Sequence, residues 1–311
     1  MQGNPTFHGD QCEVRVIEYS KSSKTGHPLV TFQTKYWRAV HAELLTHRAL
    51  SRNASSSRAI PTAKLIATIR DEHPFPVHWG ANQPGMQAHA ECSNLVKHPR
   101  TGEMLTREAA WSAGVADACD WATAFADAGY HKQISNRFAE NLGWINVVIT
   151  TSQLDNFFEL RDHDDAQPDI RDLARTMRRA MNSATPRILD PKDLTDPRAW
   201  HLPYVTMQER QAHPITELLA MSAARCARVS YLTHDGMNPL LAKDIELYRR
   251  LVESKPLHAS PLEHQAIATS FDYPSKNLTG GWMQHRTLLE TAGSIDQMHE
   301  RMGFAPAPVT Q

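Results

Sequence analysis

Thr46-His47-Arg48-Ala49-Leu50-Ser51-Arg52-Asn53-Ala54-Ser55-Ser56-Ser57-Arg58-Ala59-Ile60-Pro61 crowds three arginines, a histidine and four serines into one short segment. Guanidinium forks at Arg48, Arg52 and Arg58 suit a bidentate grip on phosphate, and serine hydroxyls add donors without adding charge. A Ser/Asn-rich run also favours turns, in which backbone N–H groups can face an oxyanion. The same composition equally describes a solvated Arg/Ser loop. Ahead of it, Tyr36, Val40 and Leu44 recur every four residues, which predicts a helix over 36–45 with His47 and Arg48 leaving its last turn.

With 311 residues the chain can bury a substantial core as one large domain or two modest ones. A formal charge of -1 supplies no basic excess, which argues against a dedicated nucleic-acid surface and makes any phosphate site local. The 17 histidines are scattered, as surface or structural groups are. Cys12, Cys92, Cys119 and Cys226 form no CxxC pair, so neither a zinc ribbon nor a disulfide framework is indicated, and a reducing cytoplasm fits. Residues 1–10 carry no basic and apolar leader, and no run approaches the length that spans a bilayer. A soluble cytoplasmic protein is expected.

In chain order, 13–18 alternates as a strand does, 29–33 is its partner, and 20–28 supplies the polar turn between them. The stretch 71–86 holds three prolines and two glycines and excludes regular structure. Its Phe75 and Trp79 make it too aromatic for a linker, which leaves an ordered loop over a site or a packed surface loop. From 106 to 128, Trp111, Val115, Ala118, Trp121 and Phe125 recur at helical spacing, with Gly129 placed to end a long core helix. Residues 144–150 read as a strand, and Gln167-Pro168 opens a helix that runs through Met181. Asp162, His163, Asp164 and Asp165 are too close in sequence to converge on one ion, so a helix-entry cluster is expected there and no metal. A helix, or a helix running into a strand, is expected over 215–230, and a further helix over 244–253. His258-Ala259-Ser260-Pro261-Leu262-Glu263-His264 is neither HExxH nor HxxEH, and Pro261 would disturb the helix those zinc motifs need. Residues 1–182 and 215–311 are joined by a proline-rich connector, 183–214, within what is expected to be one compact unit.

Several of these blocks together resemble the flavin-dependent, or alternative, thymidylate synthases. The family hallmark is Arg-His-Arg, seven residues, then Ser, closely followed by Arg. Thr46-His47-Arg48 with Ser56 and Arg58 matches it except at the first position. Gly129 to Arg137 is similar to the family segment that carries a phosphate-binding arginine. Asn156-Phe157-Phe158-Glu159-Leu160-Arg161 with Ala166-Gln167-Pro168-Asp169-Ile170 is similar to its Asn-Phe-x-x-Leu-Arg and Ala-Gln-x-Glu-Ile block. Ala227-Arg228-Val229-Ser230-Tyr231 and the His258–His264 element resemble blocks that ordinarily precede the hallmark, so a circular permutation or a rearranged long form is implied. Departures from the pattern are Thr46, Ala54, Ala59, Glu43 in place of a glutamine, and Thr150-x-Ser152 in place of Asn-x-Arg.

The resemblance implies a mixed α/β (α+β) fold, with an antiparallel or mixed sheet and long helices. It also implies a cytoplasmic homotetramer with shared sites. The implied activity is FAD-dependent C5-methylation of a pyrimidine deoxynucleotide, dUMP to dTMP, with methylenetetrahydrofolate and NADPH as co-substrates. It assigns His47, Arg48, Ser51, Asn53, Ser230, His258, Ser260 and Glu263 to FAD. Glu43, Ser56, Ser57, Arg58, Arg137, Asn156 and Arg161 are assigned to the nucleotide, with Arg161 and Ser56 catalytic. Arg161 would lie against the pyrimidine, unless it merely pairs with the neighbouring acidic turn. Alternatives are a C5-hydroxymethylase acting on dUMP, dCMP or UMP, and a catalytically silent nucleotide-binding protein.

Overall fold

The computed structural model describes residues 4–229, 240–270, 277–292 and 297. Its strands are β1 (Thr6–His8), β2 (Cys12–Ser22), β3 (Pro28–Trp37), β4 (Ser51–Ala54), β5 (Val96–Lys97), β6 (Met104–Leu105), β7 (Trp144–Thr151), β8 (Arg187–Leu189), β9 (Trp200–His201), β10 (Ala266–Ala268) and β11 (Trp282–Gln284). Its helices are α1 (His41–Leu45), α2 (Thr62–Asp71), α3 (Arg107–Asp127), α4 (Lys132–Ser135), α5 (Asp155–Arg161), α6 (Pro168–Ser183), α7 (Met207–Ala212), α8 (Ile215–Arg228), α9 (Leu241–Glu253) and α10 (His285–Ala292).

The main sheet runs β1-β2-β3-β7-β4, antiparallel throughout, with β8 added to β2 in parallel. Successive side chains on a strand point to opposite faces, and here both faces of the central strands are buried. Val30 and Phe32 of β3 and Ile145, Val147 and Ile149 of β7 enter one core with α6. On α6, Ile170, Leu173, Ala174 and Met177 recur at helical spacing and are all buried. Gln167 caps that helix by accepting from the Ile170 N–H at 2.9 Å, and Pro168 occupies the first turn, where no N–H is missed. The opposite face carries Leu29, packed with Leu189, Ala266 and Trp282, and Val148, packed with Cys226 and Val229.

The later part of the chain builds a further core from Trp200, Leu218, Leu219, Tyr248, Leu262, Ile267 and Leu289. There β11, β10 and β9 form a three-stranded antiparallel sheet. The proline-rich stretch 183–214 contributes β8 to the main sheet and β9 to this second one. A buried ion pair also ties the two together. Glu18 of β2 accepts from Arg210 of α7 at 2.8 and 2.9 Å, from Arg187 of β8 at 2.6 Å and from the Leu202 N–H at 2.7 Å. Gly280 passes close under the β2–β3 turn with φ of 76°, where a Cβ would collide with His27.

The fold is the expected mixed α/β type, with three local corrections. The helix predicted over 36–45 starts late, because β3 continues through Tyr36 and Trp37, paired with Ile145 and Trp144. After a 3-10 turn at Arg38–Val40, only His41–Leu45 is α-helical. The Ser/Asn run is not all turn, since Ser51–Ala54 pairs with β7. Its backbone donors are used by the ladder, with a 3-10 turn at Ser57–Ala59 after it. Finally, α3 buries Val115, Cys119 and Ala122 in a core shared with Leu65 and Ile69 of α2, and this turns Trp121 outward, 58% exposed. Gly129 follows α3 with φ of 87°, as a helix-ending glycine does.

Candidate functional site

Two clusters gather most of the expected residues. The first lies around β4, with the end of α1 and α5 on one side and the late 3-10 turn Ser260–Glu263 on the other. At its centre is Arg161, the last residue of α5. Its Nε donates to His47 Nε2 at 2.9 Å, one terminal nitrogen donates to Glu43 at 3.2 Å, and the other donates to the Thr46 hydroxyl at 3.2 Å. The alternative in which Arg161 merely pairs with the neighbouring acidic turn is not what the structure shows. Asp162 and Asp164 are occupied by Arg171, Arg175 and Arg178 of α6.

The bond from Arg161 fixes the state of His47. Burial, with Arg161 and Arg52 adding to it, lowers the His47 pKa, so the ring is neutral. An Nε2 that accepts leaves the proton on Nδ1, which bonds no described group. The ring stands edge-on to Phe157, with centroids 5.0 Å apart. Burial pushes the Glu43 carboxyl up, with Arg161 opposing it. Arg52 donates to the carbonyls of Leu44, Leu45 and His47 at the end of α1. Arg48 is exposed, and among the described residues it has no ion-pair partner.

On the other side of β4 the early motif meets the late turn directly. Asn53 donates to the Cys226 carbonyl at 2.7 Å and accepts from the Ser260 hydroxyl at 3.2 Å. Asn277 donates to both Ser51 and Glu263 at 3.2 Å. Gln284 donates to Ser51 at 3.1 Å and to the Glu263 carbonyl at 3.0 Å, and Arg286 pairs with the Glu263 carboxylate. Ser51, Asn53, Ser260 and Glu263 thus form one bonded wall. His258 lies just before this turn, where among the described residues only its backbone N–H is anchored, to Ser254 and Leu251. Ser230 lies outside the described residues.

The second cluster surrounds the 3-10 turn after β4. The Ser57 hydroxyl and Arg137 both bond the Glu140 carboxylate, which is 7% exposed. Asn136 donates to the carbonyls of Ser57 at 2.7 Å and Ile60 at 3.1 Å, and Arg38 donates to the Ser55 carbonyl at 3.0 Å. Ser56 and Arg58 are exposed beside them, and Arg137 keeps 60% of its side chain exposed. Asn156 is not brought in. It is exposed on α5 and bonds none of these groups.

Beside Arg161 is a cavity of about 560 Å³, lined by Glu43, Met86, Gln87, Leu160, Arg161 and Gln167 among others. Met86 and Gln87 arrive on the Pro/Trp-rich loop. The Val77 N–H of that loop donates to Asp169 of α6 at 3.0 Å, Trp111 donates to the Pro74 carbonyl at 3.0 Å, and Arg107 stacks on Trp79. The loop is ordered and walls this cavity. Among the described residues no group of three or more His, Cys, Asp or Glu side chains is placed to hold a metal ion, and no helix is long and apolar enough to cross a membrane.

Sequence reasoning missed Asn277, Gln284, Arg286 and Glu140. None lies in a recognisable motif, although buried polar residues in a strand such as β11 do call for partners.

The family model described as thymidylate synthase complementing protein matches residues 11–187, more than half of the chain. The chain belongs to the thymidylate synthase complementing protein family. It is a thymidylate synthase-like transferase. The match with the thymidylate synthase complementing proteins takes in β4, Arg137 and Arg161, and it ends before the turn that carries Ser260 and Glu263. Structures similar to this chain include a UMP/dUMP methylase PolB from Streptomyces cacaoi bound with 5-Br UMP, at 16% identity and TM-score 0.38 over 57% of this chain and 90% of that one. The form bound with 5-Br dUMP is similar at 15% identity and TM-score 0.37 over 57% and 91%. No curated protein sequence matches the chain.

Proposed function

We propose that the protein methylates C5 of a pyrimidine deoxynucleotide, dUMP to dTMP, with FAD, methylenetetrahydrofolate and NADPH. The observation that carries this reading is that β4 of the hallmark segment is bonded to the Ser260–Glu263 turn, while Thr46 and His47 just ahead of it hold Arg161. The donors there suit FAD: the exposed cation of Arg48, with no ion-pair partner among the described residues, answers a pyrophosphate, and the His47 Nδ1–H offers a neutral donor next to it. Asn53 and Ser260 are bonded to each other, and Ser51 and Glu263 are bridged by Asn277 and Gln284, so these residues shape the wall of the site. Bound flavin supplies the two-electron reduction.

C5 of uracil is a poor nucleophile, and attack by a cysteine thiolate on C6 is one way to activate it. The cysteines here are unsuited to that. Burial pushes Cys12 up to about 12 and raises Cys119 and Cys226 as well. Cys92 lines a different cavity, between Trp79 and Trp111. Arg161 instead offers a permanent cation, held rigid by three partners, to negative charge developing on the pyrimidine. Ser56, Arg58 and Arg137 take the nucleotide phosphate, with Glu140 orienting Arg137.

Two measurements test this. Purified protein is expected to show a flavin absorbance band and nucleotide-stimulated NADPH oxidation, and mass spectrometry of products from dUMP, UMP and dCMP, with and without NADPH, separates methyl from hydroxymethyl transfer. Colourless protein that takes up no FAD even with nucleotide present sinks the proposal. Arg58→Ala and Arg137→Ala are each expected to weaken nucleotide binding by about 1.5–3 kcal/mol, the worth of a charge-assisted contact. Calorimetry showing unchanged affinity in both variants removes the phosphate site.

A further inference from the structure

Between the main sheet and the late turn runs a buried chain of side-chain hydrogen bonds that the proposed chemistry does not use. Ser20 of β2 bonds His201 Nδ1 at 2.8 Å, and His201 Nε2 bonds the Thr31 hydroxyl of β3 at 2.8 Å. Thr31 bonds the Thr150 hydroxyl of β7 at 2.6 Å, and Thr150 bonds His264 Nδ1 at 2.8 Å. All five residues are fully buried. The chain ends at His264 Nε2, which is buried with no hydrogen-bond partner among the described residues.

That loose end sets the direction of every proton in the chain. Burial lowers His264 to about 3 and His201 to about 4, so both rings are neutral and carry one N–H each. An orphaned N–H is costlier than an orphaned acceptor, so His264 keeps its proton on Nδ1 and donates it to Thr150. Thr150 has one proton, which then goes to Thr31, and that of Thr31 goes to His201 Nε2. His201 is left with Nδ1–H, which donates to Ser20. Only a hydroxyl at 150, accepting from one side and donating to the other, joins the two halves.

We propose that Thr150 and His264 are positioning residues for the candidate cofactor site. Through them the central strand of the main sheet sets the place of the Ser260–Glu263 turn against β4. Glu263 is the residue before His264, and its carboxylate, carbonyl and neighbours Asn277 and Gln284 meet Ser51 of β4. A shift of His264 therefore carries the wall formed by Ser51, Asn53, Ser260 and Glu263 with it. This rests on the FAD reading above for its functional half and on the bonds alone for its structural half.

Thr150→Val keeps the shape and removes the relay, and Thr150→Ser restores it. In the full-length protein Val is expected to raise amide hydrogen exchange at 260–266 at least tenfold, with the β2–β3 amides unchanged, and Ser is expected to return it to the wild-type rate. FAD affinity is expected to fall at least tenfold in the Val variant, with nucleotide affinity within twofold of wild type. Unchanged exchange at 260–266 overturns the inference, and so does a lowered melting temperature with FAD affinity intact, since that is the mark of a merely structural contact. If wild-type protein takes up no FAD, the functional proposal falls, and the exchange comparison still decides whether Thr150 places the turn.

Discussion

Arg161→Ala is expected to lower turnover by about 100- to 1000-fold, the loss seen when one preorganised charge-stabilising donor is removed. Nucleotide affinity is expected to change by less than tenfold. The difference follows from what Arg161 touches. Its three bonds go to Glu43, Thr46 and His47, so its guanidinium is held by protein groups before any ligand arrives. A group fixed in this way costs little reorganisation when charge develops, and its worth appears in the rate rather than in ground-state binding. Arg161→Lys keeps the charge but cannot make three fork-directed bonds, and most of the loss is expected to remain. Steady-state kinetics beside equilibrium nucleotide binding make the check, and a variant with full turnover refutes the role.

Arg210→Ala carries the largest expected cost in stability, up to about 3–5 kcal/mol, because it removes the more deeply buried of the two arginines on Glu18 and leaves that buried carboxylate to Arg187 alone. Both side chains are nearly inaccessible, at 7% and 10% exposure for Arg210 and Glu18. Replacing both charges, Glu18→Gln with Arg210→Met, is expected to cost less than Arg210→Ala alone, since the buried carboxylate goes with its buried partner and the cation left over, Arg187, is 29% exposed and reaches water. Urea unfolding midpoints compare the three proteins, and a single variant no less stable than the double one contradicts the argument.

The same pair predicts a pH dependence. Burial raises the Glu18 pKa, but Arg210 leads the opposing interactions and the result is about 2, below the ordinary 4.5. Because the folded value lies below the unfolded one, this stabilisation is complete above about pH 4.5 and is lost as the pH falls through 2. Arg210→Ala is therefore expected to flatten stability against pH in that acid window.

Much of the fold was legible because its periods are clean. The β-branched run of β7 marks a buried strand, and Gln167-Pro168 marks the start of α6, before any partner is known. The Tyr36-Val40-Leu44 spacing misled, since a strand followed by a short helix can mimic one longer helix, and pairing with β7 decided between them. Trp121 misled in another way: helical spacing shows that residues share a face but not which face is covered. For the site, the Thr46–Arg58 motif and the block ending at Arg161 were legible as short, chemically dense strings. The partners of Glu263 were not. Asn277, Gln284 and Arg286 are ordinary polar residues whose role exists only once β11 lies beside β10 and the late turn reaches β4.

The late origin of that turn bears on how the protein is made. The strands β2, β3, β4 and β7 leave the ribosome well ahead of β10 and of His264 after the Ser260–Glu263 turn, which cover Leu29 and Thr150. At about 5–20 residues per second, the nascent sheet waits on the order of ten seconds with that side bare. A half-made chain is thus sticky on one face, and a chaperone that shields newly synthesised sheets is the factor whose loss should lower its yield most.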